Sequence, residues 1–96
     1  MMKDLNPILH SQLRLAVMSL LMGVEEADFV YLKEKTEATA GNLSVQIDKL
    51  EKAGYIGVRK EFAGRRPHTV CFITPKGHRA FTEYVEALKT YLPLGS

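Results

Sequence analysis

Two runs of alternating apolar and polar residues, YIGVRKEF over residues 55–62 and HTVCFIT over residues 68–74, stand on either side of the short stretch AGRRP. Alternation with a period of two marks a half-buried strand, and two such runs a few residues apart make a hairpin. Elsewhere the apolar residues recur at three- and four-residue spacing, the helical period. The hairpin is therefore a small β unit set into a helical chain.

The punctuation around it fixes the order. Asn6-Pro7 opens the first segment, with Asn suited to capping and Pro to the first helical position. Ser11 is placed to cap the main helix, which runs to Gly23. Its apolar residues, from Leu13 to Met22, cover more than one face, so either the domain surrounds this helix or a partner subunit covers the excess. Asp28 is placed to cap a second helix over residues 29–37, and Thr39 a third that begins at Ala40 and stops at Gly54, where a left-handed residue is wanted. Thr74-Pro75 repeats the cap-then-proline signal for a last helix from about Lys76 to Leu92, with Ala80, Phe81, Tyr84, Val85, Leu88, Tyr91 and Leu92 in helical phase. The terminal Gly95-Ser96 fits either a natural end or an appended remnant.

This order predicts a fold that is mainly α with a small β-hairpin. Three helices lead to a two-stranded wing and then a long C-terminal helix. Helix two, a tight turn and helix three make a helix-turn-helix, and the hairpin makes it winged. Residues 1–96 fit one such domain, since 96 residues with 46% hydrophobic content supply a single core. Residues 1–23 and 75–92 are expected to be the dimerisation helices, because their apolar surface exceeds what so short a chain can cover.

Charge gives the partner class. The net charge is only +2, yet Arg59, Lys60, Arg65, Arg66, Lys76 and Arg79 face Glu61 alone between residues 59 and 79. A concentrated positive field attracts polyanions such as nucleic acid. Other classes lack their residues. The single cysteine, Cys71, allows neither an internal disulfide nor paired zinc thiolates, and is expected in a reducing, cytoplasmic setting. His10, His68 and His78 have no metal-site spacing with it, so neither metal nor cofactor is expected. The apolar run LRLAVMSLLMGV, residues 13–24, is interrupted by Arg14 and too short to span a bilayer, and it reads as a buried helix. No phosphate loop, nucleophile elbow or pair of carboxylates in an apolar setting points to an enzyme.

The phrases LHSQLRLAVMSLL, ATAGNLSVQIDKLEKAGYI and FAGRRPHTVCFITPKGHRAF, in this order, resemble the small winged-helix transcriptional regulators related to the MarR and ArsR groups. The resemblance implies a third helix in the major groove, a wing on the flanking backbone or minor groove, and dimerisation through the terminal helices. The chain lacks the extra flanking helices of the larger MarR-type regulators and the cysteine ligands of ArsR-type metal sensors.

At about 100° per residue, Leu43, Ile47 and Leu50 face the core, and Gly41, Val45, Asp48 and Lys52 lie opposite, flanked by Asn42, Ser44 and Lys49. In a recognition helix over residues 40–53 the first turns meet the bases. That selects Asn42, Ser44, Val45 and Lys49, with Thr39 at the cap. Asn suits adenine, Val a thymine methyl, Ser a phosphate or base, and Lys a phosphate or guanine. Asp48 repels phosphate and is left out. In the wing, residues 62–68, Gly64 gives the tip its turn and Pro67 stiffens its exit, holding Arg65 and Arg66 outward. Arg59 and Lys60 add backbone contacts. The polar helix face taken alone is equally an ordinary solvated surface; the basic hairpin beside it favours DNA.

The expected function is a homodimeric, sequence-specific regulator that binds double-stranded DNA. The alternative is a winged helix used for protein interaction or assembly, since a fold does not fix a function. The sequence names no operator and no small-molecule effector.

Overall fold

Every helix of the computed structural model, which describes residues 2–93, begins on a side-chain oxygen that accepts an otherwise orphaned backbone N–H. Ser11 accepts from Arg14, Asp28 from Tyr31, Thr39 from Asn42 and Thr74 from Gly77. These caps are the ones expected from the sequence. They start α1 (Gln12–Met22), α2 (Phe29–Thr36), α3 (Ala40–Lys52) and α4 (Pro75–Lys89). Gly95 and Ser96 lie outside the described residues.

Asn6-Pro7 makes a single turn instead of a helix. The Asn6 side-chain oxygen accepts from the Ile8 N–H at 2.8 Å, and its carbonyl accepts from Leu9 and His10. The turn carries Leu9 into the core, where it is fully buried. At the other end α4 stops at Lys89, short of Leu92, and residues 90–92 continue as looser turns.

The hairpin is longer, and its loop shorter, than the alternation suggests. Strand β2 covers Ile56–Ala63 and β3 covers Arg66–Ile73, so the loop is Gly64-Arg65 and not AGRRP. Gly64 has a φ of 69°, and glycine in the first position of a two-residue loop is what a type II′ hairpin favours. A third strand, β1 (Ala27–Asp28), pairs antiparallel with β3, giving the order β1-β3-β2. Its two residues are too few to show a period, which is why the sequence does not reveal it.

Helix α1 is the pillar of the domain. It touches α2, α3, α4 and β3, and Val17, Met18 and Leu21 are buried among Leu9, Leu32, Leu43, Leu50 and Cys71. Its apolarity on several faces is thus consumed mostly inside the chain. Helix α4 is less well covered: Tyr84 is buried, but Phe81, Val85 and Leu88 are only half-buried.

Tyr55 fastens the hairpin to α4. Its carbonyl accepts from the Thr74 N–H at 3.1 Å, and its hydroxyl accepts from Asn6 Nδ2 at 2.8 Å. The start of α4 approaches so closely that a Cβ on Gly77 would sit 2.0 Å from the Tyr55 oxygen. By contrast, a Cβ on Gly41, in the first turn of α3, would meet nothing within 4 Å. Gly77→Ala should therefore cost about 1–3 kcal/mol by overpacking against backbone. Gly41→Ala should gain about 0.5–1 kcal/mol from helix propensity. Urea titration of both variants measures the contrast.

Cys71 is fully buried, and loss of solvent pushes its thiol up to about 11, with the Glu51 carboxylate adding to the shift. The folded protein therefore holds this proton more tightly than the unfolded chain. Its contribution to stability is complete below the ordinary thiol value and is lost as pH rises through about 11. Melting temperature should fall more steeply with alkaline pH in the wild type than in Cys71→Ala, and native Cys71 should resist alkylation at neutral pH.

Candidate nucleic-acid interface

Helix α3 turns one narrow stripe inward. Leu43, Ile47 and Leu50 are buried, and the remaining arc holds Asn42, Ser44, Val45, Asp48, Lys49 and Lys52, all exposed. The structure therefore groups Asn42, Ser44, Val45 and Lys49 on one accessible face, with Val45 52% exposed despite its apolar side chain. Thr39 lies at the start of that face, where its hydroxyl accepts from the Asn42 N–H at 3.2 Å. Asp48 is paired with Lys52 at 2.8 Å, and the hydrogen bond and charge of Asp48 raise the Lys52 ammonium above its ordinary range. That pairing partly offsets an acid on an otherwise anion-tolerant surface.

The parity of the hairpin sorts the basic residues. Ile56, Val58, Lys60 and Phe62 share one face of β2, opposite Ile73, Cys71, Thr69 and Pro67 of β3. This is the face turned toward α3. Val58, Lys60 and Thr69 line an open groove of about 320 Å³ with Phe29, Ser44 and Asp48. Lys60 thus belongs with the exposed face of α3.

Arg59 does not. It projects from the other face of β2, where Nη2 donates to Glu26 Oε2 and Nε to Glu61 Oε2, both at 2.9 Å. The two carboxylates, Glu61 foremost, hold the guanidinium above its ordinary range. The structure separates Arg59 from the candidate set and gives it a bridging role between the β1 approach and the wing.

Arg65 fills the loop and Arg66 opens β3, both exposed. Among the described residues, no side-chain hydrogen bond or ion pair engages Lys49, Lys60, Arg65 or Arg66. A residue absent from the sequence reading joins them: Phe62, opposite Pro67 on the α3-facing side, is 74% exposed. Its phase with Ile56 and Val58 was the available signal, masked by its nearness to the presumed loop. Two of the three histidines serve other contacts, with His10 Nδ1 3.2 Å from the Tyr84 hydroxyl and His68 Nε2 4.0 Å from Asp28. A second open groove, about 390 Å³, lies between α1 and α3 and is lined by Ser11, Ala16, Thr36, Asn42 and Gln46.

A helix-turn-helix whose second helix offers a polar face beside a basic β-hairpin defines a winged-helix protein of the regulator type. Residues 13–92 match the winged helix DNA-binding domain family, and the chain belongs to it. It is 40% identical over 78 residues to an uncharacterized protein of Methanocaldococcus jannaschii, covering 81% of this chain and 85% of that one. Among solved structures it is similar to a transcriptional regulator homologue from Pyrococcus horikoshii OT3, with a TM-score of 0.81 and 32% identity over 88% of this chain and 83% of that one. It is also similar to the transcriptional regulator BldR from Sulfolobus solfataricus, with a TM-score of 0.72 and 27% identity over 84% of this chain and 57% of that one. The expected winged helix-turn-helix fold is the observed one. Among the described residues, no helix is long and apolar enough to cross a membrane.

The parity argument separates two adjacent cations. Lys60→Gln should weaken binding to DNA of any sequence and reduce the slope of log K against log salt by about one. Arg59→Gln should leave that slope unchanged and lower the melting temperature, because its partners are Glu26 and Glu61. Fluorescence anisotropy at several salt concentrations, beside thermal melts, distinguishes them.

Proposed function

We propose that the protein is a homodimeric regulator that reads double-stranded DNA, with α3 in the major groove and the wing on the flanking backbone or minor groove. The observation that carries this reading is the shared orientation of the exposed α3 face and Lys60, with Arg65 and Arg66 at the projecting tip and no protein partner for these cations among the described residues. Family membership and the regulators it resembles support it.

In this reading Ser44, Val45 and Asn42 meet base edges, while Lys49, Lys60, Arg65 and Arg66 meet phosphates or, at the tip, a narrow minor groove. The Thr39 hydroxyl lies where the first turn of α3 meets the backbone of the duplex. Phe62 and Pro67 add an apolar plate beside the tip, of the kind that rests on sugars or wedges against a base step.

The dimer follows from α4 more than from α1. Phe81, Val85, Leu88 and Leu92 recur at helical spacing along one side of α4 and its extension, and Leu92 is 43% exposed. Pairing this stripe with its copy about a two-fold axis gives a closed assembly and two reading heads. Such heads meet half-sites about one helical turn apart.

Selection of bound fragments from genomic DNA, followed by footprinting, tests the reading directly. Protection should be two-fold symmetric. If each subunit neutralises about three to five phosphates, log K should fall with log salt at a slope of roughly −5 to −9. A slope near zero would overturn DNA binding in favour of protein interaction, and a single protected half-site would overturn the dimer.

A further inference from the structure

Arg14 interrupts an otherwise apolar stretch of α1, and the core has no need of it. Its side chain lies half-buried and spends its donors on two specific acceptors. Nε donates to the Ile8 carbonyl at 2.6 Å, and Nη1 donates to Gln46 Oε1 on α3. Gln46 Nε2 in turn donates to Asn42 Oδ1, one helical turn earlier, at 3.0 Å.

The polarity of this chain is forced from one end. A guanidinium has donors and no acceptor, so the atom of Gln46 facing it must be the oxygen. The Gln46 NH2 then points toward Asn42, which must answer with its own oxygen. The Asn42 NH2 is left for whatever approaches the exposed face. The Ile8 carbonyl and the Gln46 oxygen satisfy donors of the half-buried guanidinium, which favours the relay as it stands.

We infer that Arg14 is a positioning residue for DNA recognition: acting through Gln46, it fixes the Asn42 amide with its two N–H donors outward, so that Asn42 selects an acceptor edge. The inference rests on the DNA-reading function proposed above and refines it. With its oxygen already engaged by the protein, Asn42 is poorly set for the two-way clamp on adenine, in which the oxygen must accept from the base. Guanine, with acceptors at O6 and N7, fits the outward donors, and cytosine, with its amino donor, does not.

Binding-site selection with the full chain tests this, using the wild type, Arg14→Met and Gln46→Glu. The wild type should prefer guanine at one position of each half-site. Arg14→Met frees the amide, so the preference at that position should fall about ten-fold. Affinity for random DNA and the salt slope should stay as they were, because Arg14 is not assigned to phosphate.

Gln46→Glu keeps a partner for Arg14 but replaces a donor by an acceptor. It should draw the Asn42 NH2 inward, turn the oxygen outward, and move the preference at the same position from guanine to a base that presents an amino donor, cytosine or adenine. Thermal melts establish that each variant folds. If Arg14→Met does not, the reversal in Gln46→Glu decides alone. A sequence-selective wild type whose base preference is unchanged in the folded variants overturns the inference and leaves the DNA function standing. A salt slope reduced by about one in Arg14→Met also overturns it, by making Arg14 a phosphate contact. A wild type that selects no sequence overturns the DNA reading, and the inference with it.

Discussion

Asp28 holds two elements at once, and the relation between the helix-turn-helix and the wing depends on it. Its backbone lies in β1 opposite Val70 of β3, while Oδ1 accepts from the Tyr31 N–H at 2.7 Å to start α2. The beginning of the helix-turn-helix is thereby fixed to the strand that returns from the wing tip. Register in β1 is not free to slip, because Ala27 stands opposite the fully buried Cys71 and a shift of one residue would reverse the faces. From Asp28 onward α2 is short, and Glu37, in the left-handed conformation with a φ of 56°, turns the chain sharply into α3. The αL backbone at a non-glycine residue is a local cost of this tight junction.

The second constraint is the asymmetry between the faces of α3. Leu43, Ile47 and Leu50 give it a narrow buried stripe against α1, so most of its circumference is left accessible while its axis is held. The N-terminal segment strengthens this hold from two directions. Asn6 reaches Tyr55 beyond the end of α3, and the Ile8 carbonyl anchors Arg14 on its way to Gln46. Residues distant in sequence thus brace α3 at its middle and just beyond its C-terminal end. A rigid scaffold of this kind suits recognition, where a polar side chain held in one orientation discriminates better than a mobile one.

Much of this was legible in the sequence. The caps at Ser11, Asp28, Thr39 and Thr74 were readable because a short polar side chain before a periodic run satisfies a need that every helix start has. The core-facing stripe of α3 followed from its period. What failed to show was whatever depends on contacts between distant segments. One of the two partners of Arg59, Glu26, is far away in the chain, although strand parity alone already set Arg59 and Lys60 on opposite faces. In the sequence the wing loop reads wider than it is, because Arg66 and Pro67 resemble turn residues. Pro67 is tolerated in β3 because β1 pairs only with Val70 and Cys71, leaving one side of the strand open at its height. The relay from Arg14 to Asn42 joins residues whose only sign in the sequence was an arginine in an apolar helix.

The register of β2 and β3 carries a consequence for how such a protein can diversify. Eight residue pairs join the strands, yet burial ends near Val58 and Cys71, so the outer half of the hairpin is free of the core. Insertions and deletions there are tolerated by folding but not equally by geometry. Losing one residue from each strand keeps the ladder intact and moves Phe62, Pro67 and their neighbours at the tip to the opposite side. Losing two from each restores every side chain to its own side and shortens the reach by roughly two residues of strand rise, about 7 Å. Related chains that keep the same manner of docking should therefore vary in wing length by even steps, and an odd step should coincide with a reassigned tip.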